Sequence, residues 1–204
     1  MKKHIIHQPI YHLKLEEHKV IKDKLIKLLT SDVDKLESYR KDANDFDNMT
    51  MLDFNYSDDM SRKWIKFFKP LWDKKILELS EECGFSSIGK LQMWFQQYHK
   101  PGDGHGWHQH GQNFTGVYYL EFGKTSPRTE LIDPFTHQII RINVNEGDLI
   151  FFPSHICHRS PVISDFTRKT IISWNFEAYG PSDNYRIKKS LSDKIGELLT
   201  LCKI

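Results

Sequence analysis

The sequence is poor in cysteine, in net charge and in long apolar runs. Its three cysteines, Cys83, Cys157 and Cys202, are odd in number and far apart, which argues against a disulfide framework or a paired-cysteine zinc site and favours a reducing compartment. The 29 Lys and Arg residues nearly balance the 27 Asp and Glu, so the net charge of +2 gives no strong indication of nucleic-acid binding. We find no run of about 18 apolar residues and no export signal, so we expect a cytoplasmic protein outside the membrane.

Apolar residues recur with helical periodicity in the N-terminal part of the chain and in its last residues. Apolar residues recur at helical spacing over Leu13–Leu29 and over Trp64–Leu79, and again over Ser190–Cys202 at the end of the chain. Pro70 removes a backbone donor inside the second of these segments, so we expect it to kink or divide that helix. The pattern predicts amphipathic helices that cover one face of a sheet.

The C-terminal half of the chain is rich in aromatic and β-branched residues separated by turn-forming residues. A length of 204 residues suits a single domain, with helical support over residues 1–89, a β core over 90–178 and a helical tail over 179–204. Several strands at near-regular spacing favour an antiparallel sandwich or barrel such as a jelly roll. The predicted strands are Leu91–His99, Phe114–Phe122, Gln138–Val144, Asp148–Phe152, His158–Ile163 and Lys169–Phe176.

Histidines are concentrated in this β-rich part of the chain. Seven of the eleven fall between His99 and His158, including His108 and His110 in the segment GHGWHQHG. Residues i and i+2 of a strand point to the same face about 6–7 Å apart, so this pair can chelate one ion. A third ligand from a distant strand would leave one side of the ion open, as in mononuclear iron oxygenases, and His158 is our candidate.

A zinc site built from His155, Cys157 and His158 is an alternative. Neighbouring ligands without a second Cys/His pair make a poor closed site, so we rank it lower. His105 and His155 are more typical of surface or hydrogen-bonded histidines than of ligands.

An arginine follows His158 by ten residues, at the start of a predicted strand. A dicarboxylate bound beside the metal would need a cation for its far carboxylate, and Arg168 can supply a bidentate, charge-assisted contact. Thr170 lies two residues on and shares the face of Arg168, whereas Lys169 points the other way and is the weaker candidate. We therefore expect the Arg168 guanidinium deeper in the same cavity as the three imidazoles.

Five stretches together resemble the 2-oxoglutarate- and iron(II)-dependent dioxygenases, a superfamily with a double-stranded β-helix. They are Y-H-K-P-G-D-G-H-G-W-H-Q-H from Tyr98, T-G-V-Y-Y-L from Thr115, I-D-P from Ile132, L-I-F-F-P-S from Leu149 and R-K-T-I-I-S-W from Arg168. The sequences of these motifs are most similar to those of the uncharacterised family frequent in phages and marine bacteria. The order of the motifs is similar to that in prolyl-hydroxylase-type enzymes. The resemblance covers roughly residues 91–177.

The resemblance implies a mainly β fold with flanking helices: a double-stranded β-helix, or jelly roll, with N-terminal helices packed on the major sheet and a C-terminal helix. It implies that His108 and His158 bind the metal. At His110 most of the superfamily has Asp or Glu, although His-x-His is usual in the phage-type family. A neutral third ligand leaves more of the ion's charge uncompensated. If a carboxylate is required as the third ligand, Asp133 is the alternative candidate, although its place before Pro134 is typical of a turn.

The resemblance also implies the contacts of the co-substrate. Arg168 would bind the far carboxylate of 2-oxoglutarate, with Thr170 beside it, and Tyr119 would hydrogen-bond the same carboxylate. Tyr98 matches a tyrosine that faces the metal-bound end of the co-substrate in prolyl-hydroxylase-like enzymes. The implied requirements are Fe(II), 2-oxoglutarate and O2, with ascorbate as a candidate reductant.

The implied activity is hydroxylation of an unidentified substrate, with release of succinate and CO2, in the host cytoplasm if the source is viral. Two alternatives stay open: a cupin-type three-histidine dioxygenase that needs no 2-oxoglutarate, and a non-catalytic jelly-roll binding protein. Arg168, Thr170 and Tyr119 favour the 2-oxoglutarate-dependent enzyme over both alternatives. The primary substrate stays open among a peptidyl proline, a modified base and a small metabolite, which Trp94, Trp107 or Phe114 would contact by stacking. The oligomeric state is also open.

Overall fold

The computed structural model describes residues 8–40 and 48–181. Within these ranges the chain forms two α-helices, eleven β-strands and two short 3-10 turns. The helix predicted over Ser190–Cys202 lies outside the described residues. The elements in chain order are β1 (Tyr11–Lys14), α1 (His18–Leu29), β2 (Glu37–Arg40), β3 (Asn48–Leu52), α2 (Lys63–Cys83), β4 (Phe85–Tyr98), β5 (His105–His108), β6 (Phe114–Glu121), β7 (Glu130–Ile132), β8 (Ile139–Arg141), β9 (Asp148–Pro153), β10 (His158–Ser160) and β11 (Lys169–Pro181), with 3-10 turns at Val33–Lys35 and Phe54–Tyr56.

Two antiparallel sheets form the core of the molecule. The larger has seven strands in the order β1-β9-β6-β11-β4-β3-β2, and the smaller has four in the order β5-β10-β7-β8. One buried cluster contains side chains of both sheets, among them Tyr119 and Ile171 of the larger and Leu131 of the smaller, so the sheets pack face to face. This confirms the predicted jelly roll with helices on one side.

Strand alternation in the large sheet separates two apolar layers. Ile172, Trp174 and Phe176 of β11 pack in one cluster with Phe68 and Trp72 of α2, whereas Ile171 belongs to the cluster between the sheets. Both layers exclude water over most of their area, and burying one such large side chain contributes roughly 1.5–3 kcal/mol. The helices therefore cover the outer face of the large sheet, and the inner face remains for a site.

Pro70 does not divide the second helix. Helix α2 runs from Lys63 to Cys83 with Pro70 inside it, and it ends at Gly84, whose φ of 75° is the left-handed conformation typical of a helix C-cap. Pro70 is exposed, whereas Trp64, Phe68 and Trp72 of the helix are buried. The packing of this apolar face against the sheet offsets the missing backbone hydrogen bond.

The front of the chain supplies strands as well as helices. β1, which contains Leu13, pairs with β9, and β3 pairs with β4 through Met51 and Leu52. The expected helix over Leu13–Leu29 therefore begins only at His18. These strands have four or five residues each, too few for alternation to be distinguished from helical periodicity.

A buried ion pair joins the start of α2 to strand β4. The Arg62 guanidinium contacts the Asp53 carboxylate and donates to the Met93 carbonyl oxygen (2.5 Å). Asp53 accepts hydrogen bonds from the Phe95 backbone N–H (2.9 Å) and from the Trp64 indole (2.9 Å). The network therefore holds the backbone on both sides of residue 94, which lines the site described below.

Neither of the two helices in the described ranges is long and apolar enough to cross a membrane.

Candidate metal centre and the surrounding cavity

Three histidines lie together on the inner side of the small sheet. The ligating nitrogens of His108, His110 and His158 are all within 4.8 Å of one another. His108 and His158 are direct partners in the β5–β10 pair. β5 ends at His108, so His110 is not in the same strand as expected, and its backbone N–H instead donates to the Ser154 carbonyl (3.0 Å). The structure thus brings together the three predicted ligands, two by strand pairing and one by a loop contact.

Backbone carbonyls select the tautomer of two of these rings. His108 Nδ1 lies 2.7 Å from the Gly106 carbonyl oxygen, and His158 Nδ1 lies 2.9 Å from the Ile156 carbonyl oxygen. A carbonyl only accepts, so each Nδ1 carries the proton and donates it. The Nε2 lone pair of each ring is then the nitrogen that can bind a metal, with its orientation held by the second hydrogen bond.

Burial favours the neutral form of His158 and His110. It lowers the pKa of His158 to about 2 and that of His110 to about 4, and the neighbouring His108 lowers both further. Both rings are therefore unprotonated at pH 7, as metal ligation requires. Three imidazole nitrogens on one side of a cavity suit Fe(II), and they equally suit other divalent ions that favour imidazole.

The other candidate ligands lie elsewhere. Asp133 lies in the β7–β8 turn, where it accepts hydrogen bonds from the backbone N–H groups of Phe135 (2.7 Å) and Thr136 (3.1 Å), which lower its pKa. His155 is exposed and contacts Gln8 (2.7 Å). Across the described residues, His108, His110 and His158 are the only group of three or more metal-ligating side chains. Asp133 and the other two residues of the alternative zinc site, His155 and Cys157, do not belong to that group.

Arg168 does not lie deeper in the same cavity, as expected, but at the surface. Its guanidinium makes a bidentate pair with Glu121 (2.6 and 2.9 Å), and its side chain is 46% exposed. The Thr170 hydroxyl donates to the same carboxylate, so Thr170 shares the face of Arg168, which is the face away from the histidines. Ile171 and Ser173 line the cavity, and strand alternation therefore turns Lys169 inward instead of Arg168.

Lys169 is fully buried between the two sheets. Its ammonium donates to the Pro127 carbonyl oxygen (2.8 Å) and to the Ser160 hydroxyl (2.8 Å), and it lies 5.4 Å from the centre of the Tyr98 ring. In the part of the chain that the structure describes, no carboxylate pairs with it. Burial therefore lowers the pKa of Lys169 to about 7. A buried cation without an anion is costly, and a bound carboxylate would compensate it.

Both tyrosines that the resemblance assigns to the co-substrate are buried on the inner face. The Tyr98 hydroxyl donates to Gln96 Oε1 (3.1 Å), and the Tyr119 hydroxyl donates to Thr129 Oγ1 (2.7 Å). Burial raises the pKa of Tyr119, so it stays a neutral donor. Tyr98 and Thr129 line the same cavity as the three histidines.

This inner cavity is narrow. Its free space is about 20 Å³, close to that of one water molecule, and Ser160 and Tyr98 separate it from Lys169. The Tyr98–Gln96 hydrogen bond joins two lining residues, so breaking it is one way to widen the cavity. Arg159 also lines the cavity, but its guanidinium pairs with the buried Glu130 (2.7 Å). Lys169, which we expected to point away from the site, is instead the cation buried between the sheets near this cavity.

A wider cavity lies beside the histidines, and residues from the N-terminal part of the chain form part of its wall. It has a volume of about 290 Å³, and Met49, Leu52, Phe54 and Trp94 form its apolar wall. The first three of these had no distinguishing pattern in the sequence. Trp94 lines this cavity but is only 3% exposed, whereas Phe114 packs in the helix-side layer against Phe85 and Phe176, and Trp107 lies under the Arg159 guanidinium.

No protein-family model and no curated protein matches the sequence. Similar solved structures include a prolyl-4-hydroxylase from Pseudomonas putida, with a TM-score of 0.60, 12% identity, and coverage of 85% of this chain and 94% of that one. A prolyl hydroxylase from Trichoplax adhaerens, in complex with a peptide fragment of the hypoxia inducible factor oxygen degradation domain, has a TM-score of 0.59, 14% identity, and coverage of 82% and 83%. The non-haem alpha-ketoglutarate-dependent epimerase SnoN has a TM-score of 0.62, 12% identity, and coverage of 83% and 77%. At these identities the likeness concerns the fold alone, a jelly roll that this chain shares with the three enzymes.

Proposed function

We propose that this protein is a 2-oxoglutarate- and Fe(II)-dependent oxygenase that hydroxylates a substrate with release of succinate and CO2. The observation that carries the proposal is the presence, in the space between the two sheets, of three convergent histidines and a buried lysine that has no carboxylate partner among the described residues. The fold shared with 2-oxoglutarate enzymes supports it. The motif T-G-V-Y-Y-L supports kinship with the phage and marine-bacterial family.

His108, His110 and His158 would hold the metal. When bound, Fe(II) would supply the oxidative decarboxylation of 2-oxoglutarate and the activation of O2. The carbonyls of Gly106 and Ile156 keep two rings oriented by accepting their Nδ1 protons. Because all three ligands are neutral, anionic oxygen donors of the co-substrate would compensate the charge of the ion.

Lys169, in place of Arg168, would receive the far carboxylate of 2-oxoglutarate. The ammonium is already oriented by Pro127 and Ser160, and Tyr98 lies against it. A carboxylate that reached it would gain a charge-assisted hydrogen bond away from water, which contributes roughly 1.5–3 kcal/mol. The Tyr98 and Tyr119 hydroxyls donate to Gln96 and Thr129, and each would donate to the co-substrate carboxylate in place of that partner. The surrounding apolar side chains would exclude water.

The test is whether the chain turns over 2-oxoglutarate without its substrate. Purified protein is supplied with Fe(II), ascorbate, O2 and 2-oxoglutarate, and succinate and O2 consumption are measured. We expect slow succinate formation by the natural chain and none by His108→Ala or His158→Ala. His155→Ala is the matched control, because His155 is exposed and belongs to no ligand group, and it should keep the full rate.

A chain that binds iron but forms no succinate would contradict the proposal. Consumption of O2 with an added substrate in the absence of 2-oxoglutarate would instead support the cupin-type three-histidine dioxygenase. The surface position of Arg168 leaves that candidate open, because Arg168 was the residue expected to distinguish the two classes.

A further inference from the structure

His110 differs from the other two histidines of the metal site in what holds its ring. His108 and His158 lie in paired strands, and the Nδ1 atom of each ring donates to a backbone carbonyl. His110 lies beyond the end of β5, and within the described residues neither nitrogen of its ring has a hydrogen-bond partner. Its ring contacts are with His108, His158 and the edge of Trp94. The position of the His110 ring therefore depends on the backbone that carries it.

Ser154 holds this backbone. We call residues 110–113 the ligand segment, and Ser154 is the first residue after strand β9. The Ser154 carbonyl oxygen accepts a hydrogen bond from the His110 backbone N–H (3.0 Å), and the Ser154 backbone N–H donates to the Asn113 carbonyl oxygen (3.1 Å). The Ser154 hydroxyl donates to the Gln112 carbonyl oxygen. All three polar groups of Ser154 thus bind the ligand segment.

Burial strengthens the effect of these contacts. Ser154 is 0% exposed, so water does not take the place of a lost partner, and it follows the fully buried Phe151 and Phe152 of β9. Side-chain packing contributes little to the ligand segment, because Gly111 is exposed and a Cβ there would have nothing within 4 Å. The ligand segment is therefore joined to the core of the large sheet mainly by hydrogen bonds.

We propose that Ser154 is a positioning residue of the metal site, which holds the ligand segment so that the His110 imidazole meets those of His108 and His158. The inference rests on the metal site of the proposed function. Ser154 is not a ligand itself, because its hydroxyl is directed to the Gln112 carbonyl. It acts on a bound ion only through His110, as residues that orient metal ligands do.

The test is a double-mutant cycle on metal-free protein titrated with Co(II), which binds imidazole and is followed by its visible absorption. The dissociation constant is measured for the natural chain, Ser154→Ala, His110→Ala and the double variant. We expect Ser154→Ala to bind Co(II) roughly 2- to 12-fold more weakly, the effect of losing one hydrogen bond. In the His110→Ala background the same change should have no effect, because the residue through which Ser154 acts is gone.

Ser126→Ala is the matched control. Ser126 is also buried (6% exposed), and its hydroxyl accepts a hydrogen bond from the Gly123 backbone N–H (3.1 Å) in a turn that does not line the histidine cavity. Ser126→Ala should leave Co(II) binding unchanged. A second measurement needs no metal: hydrogen exchange of the His110 backbone amide, followed by NMR, should be faster in Ser154→Ala and unchanged in Ser126→Ala.

Three results would overturn the inference: Co(II) binding by Ser154→Ala as tight as by the natural chain, an equal loss of affinity with and without the His110 side chain, or unchanged exchange of the His110 amide. Co(II) binding does not depend on turnover. If Ser154→Ala weakens it only through His110 and no succinate forms, the positioning role holds and the oxygenase proposal fails. If succinate forms and Ser154→Ala binds Co(II) normally, the oxygenase proposal stands and the positioning role fails.

Discussion

Replacing the buried Lys169 by methionine should make the folded chain more stable at pH 7 and unable to bind 2-oxoglutarate tightly. Methionine has a similar length and no charge, so the change removes the ammonium and leaves little empty space. Two hydrogen bonds, to the Pro127 carbonyl and the Ser160 hydroxyl, are lost at the same time. The outcome depends on which of these two effects is larger.

The charge has the larger effect. Burial lowers the pKa of Lys169 from 10.5 to about 7, so keeping the ammonium protonated in the folded chain at pH 7 costs on the order of 4 kcal/mol. The two lost hydrogen bonds each contribute about 1 kcal/mol. Lys169→Met should therefore raise the free energy of unfolding at pH 7 by about 1 to 2 kcal/mol.

The pH dependence distinguishes this explanation from a simple packing effect. Because the folded pKa of Lys169 is below its unfolded value of 10.5, the unfolded chain binds more protons between pH 7 and pH 10.5. The stability of the natural chain therefore rises with pH across that window, by up to about 1.4 kcal/mol per pH unit relative to the methionine variant. Urea unfolding at pH 7, 8 and 9, followed by tryptophan fluorescence, measures this difference. Lys90→Met, which removes an exposed ammonium, is the control and should show no such trend.

A stability difference that stays constant from pH 7 to pH 9 would refute this reasoning. A second measurement concerns the co-substrate: under anaerobic conditions with Fe(II), 2-oxoglutarate should raise the Tm of the natural chain and leave that of Lys169→Met unchanged. An equal rise in both would show that the far carboxylate binds elsewhere.

Three further predictions concern the metal centre, the surface arginine and the packing of the sheet. His110→Ala should weaken Fe(II) binding roughly tenfold or more and His110→Asp should restore it, as measured by equilibrium dialysis with iron analysis, since a carboxylate offers a charged oxygen ligand. Arg168→Gln should leave the rate of succinate formation and the 2-oxoglutarate concentration for half-maximal rate unchanged, and should lower stability by no more than about 1 kcal/mol, because the pair with Glu121 is at the surface. A strong rise in that concentration would indicate that Arg168 binds the far carboxylate of 2-oxoglutarate. Gly116→Ala should destabilise the chain by about 1–3 kcal/mol in thermal unfolding, because the new Cβ would lie 2.5 Å from the Ile150 carbonyl oxygen, whereas Gly111→Ala, with nothing within 4 Å, should have little effect.

Local pattern predicted the longer strands of the jelly roll and the three histidines. β6, β9 and β11 have six or more residues, so their aromatic and β-branched content and their turns identify them without knowledge of the fold. The metal group required only the spacing of His108 and His110 and a late strand beginning at His158. Strand content and residue spacing are local properties, because backbone geometry over a few residues determines them. The three rings themselves converge only through the pairing of β5 with β10 and the contact of His110 with Ser154.

Tertiary structure alone decided which cation points into the space between the sheets and what surrounds the metal group. Arg168 and Lys169 are neighbours, and a shift of one residue in strand alternation exchanges the buried and the exposed side chain. Leu52, Phe54 and Trp94 come together because β3 pairs with β4 and the Asp53–Arg62 pair holds the junction. Such contacts join residues about 40 positions apart, and their geometry depends on the packing of the whole chain, which no local pattern records.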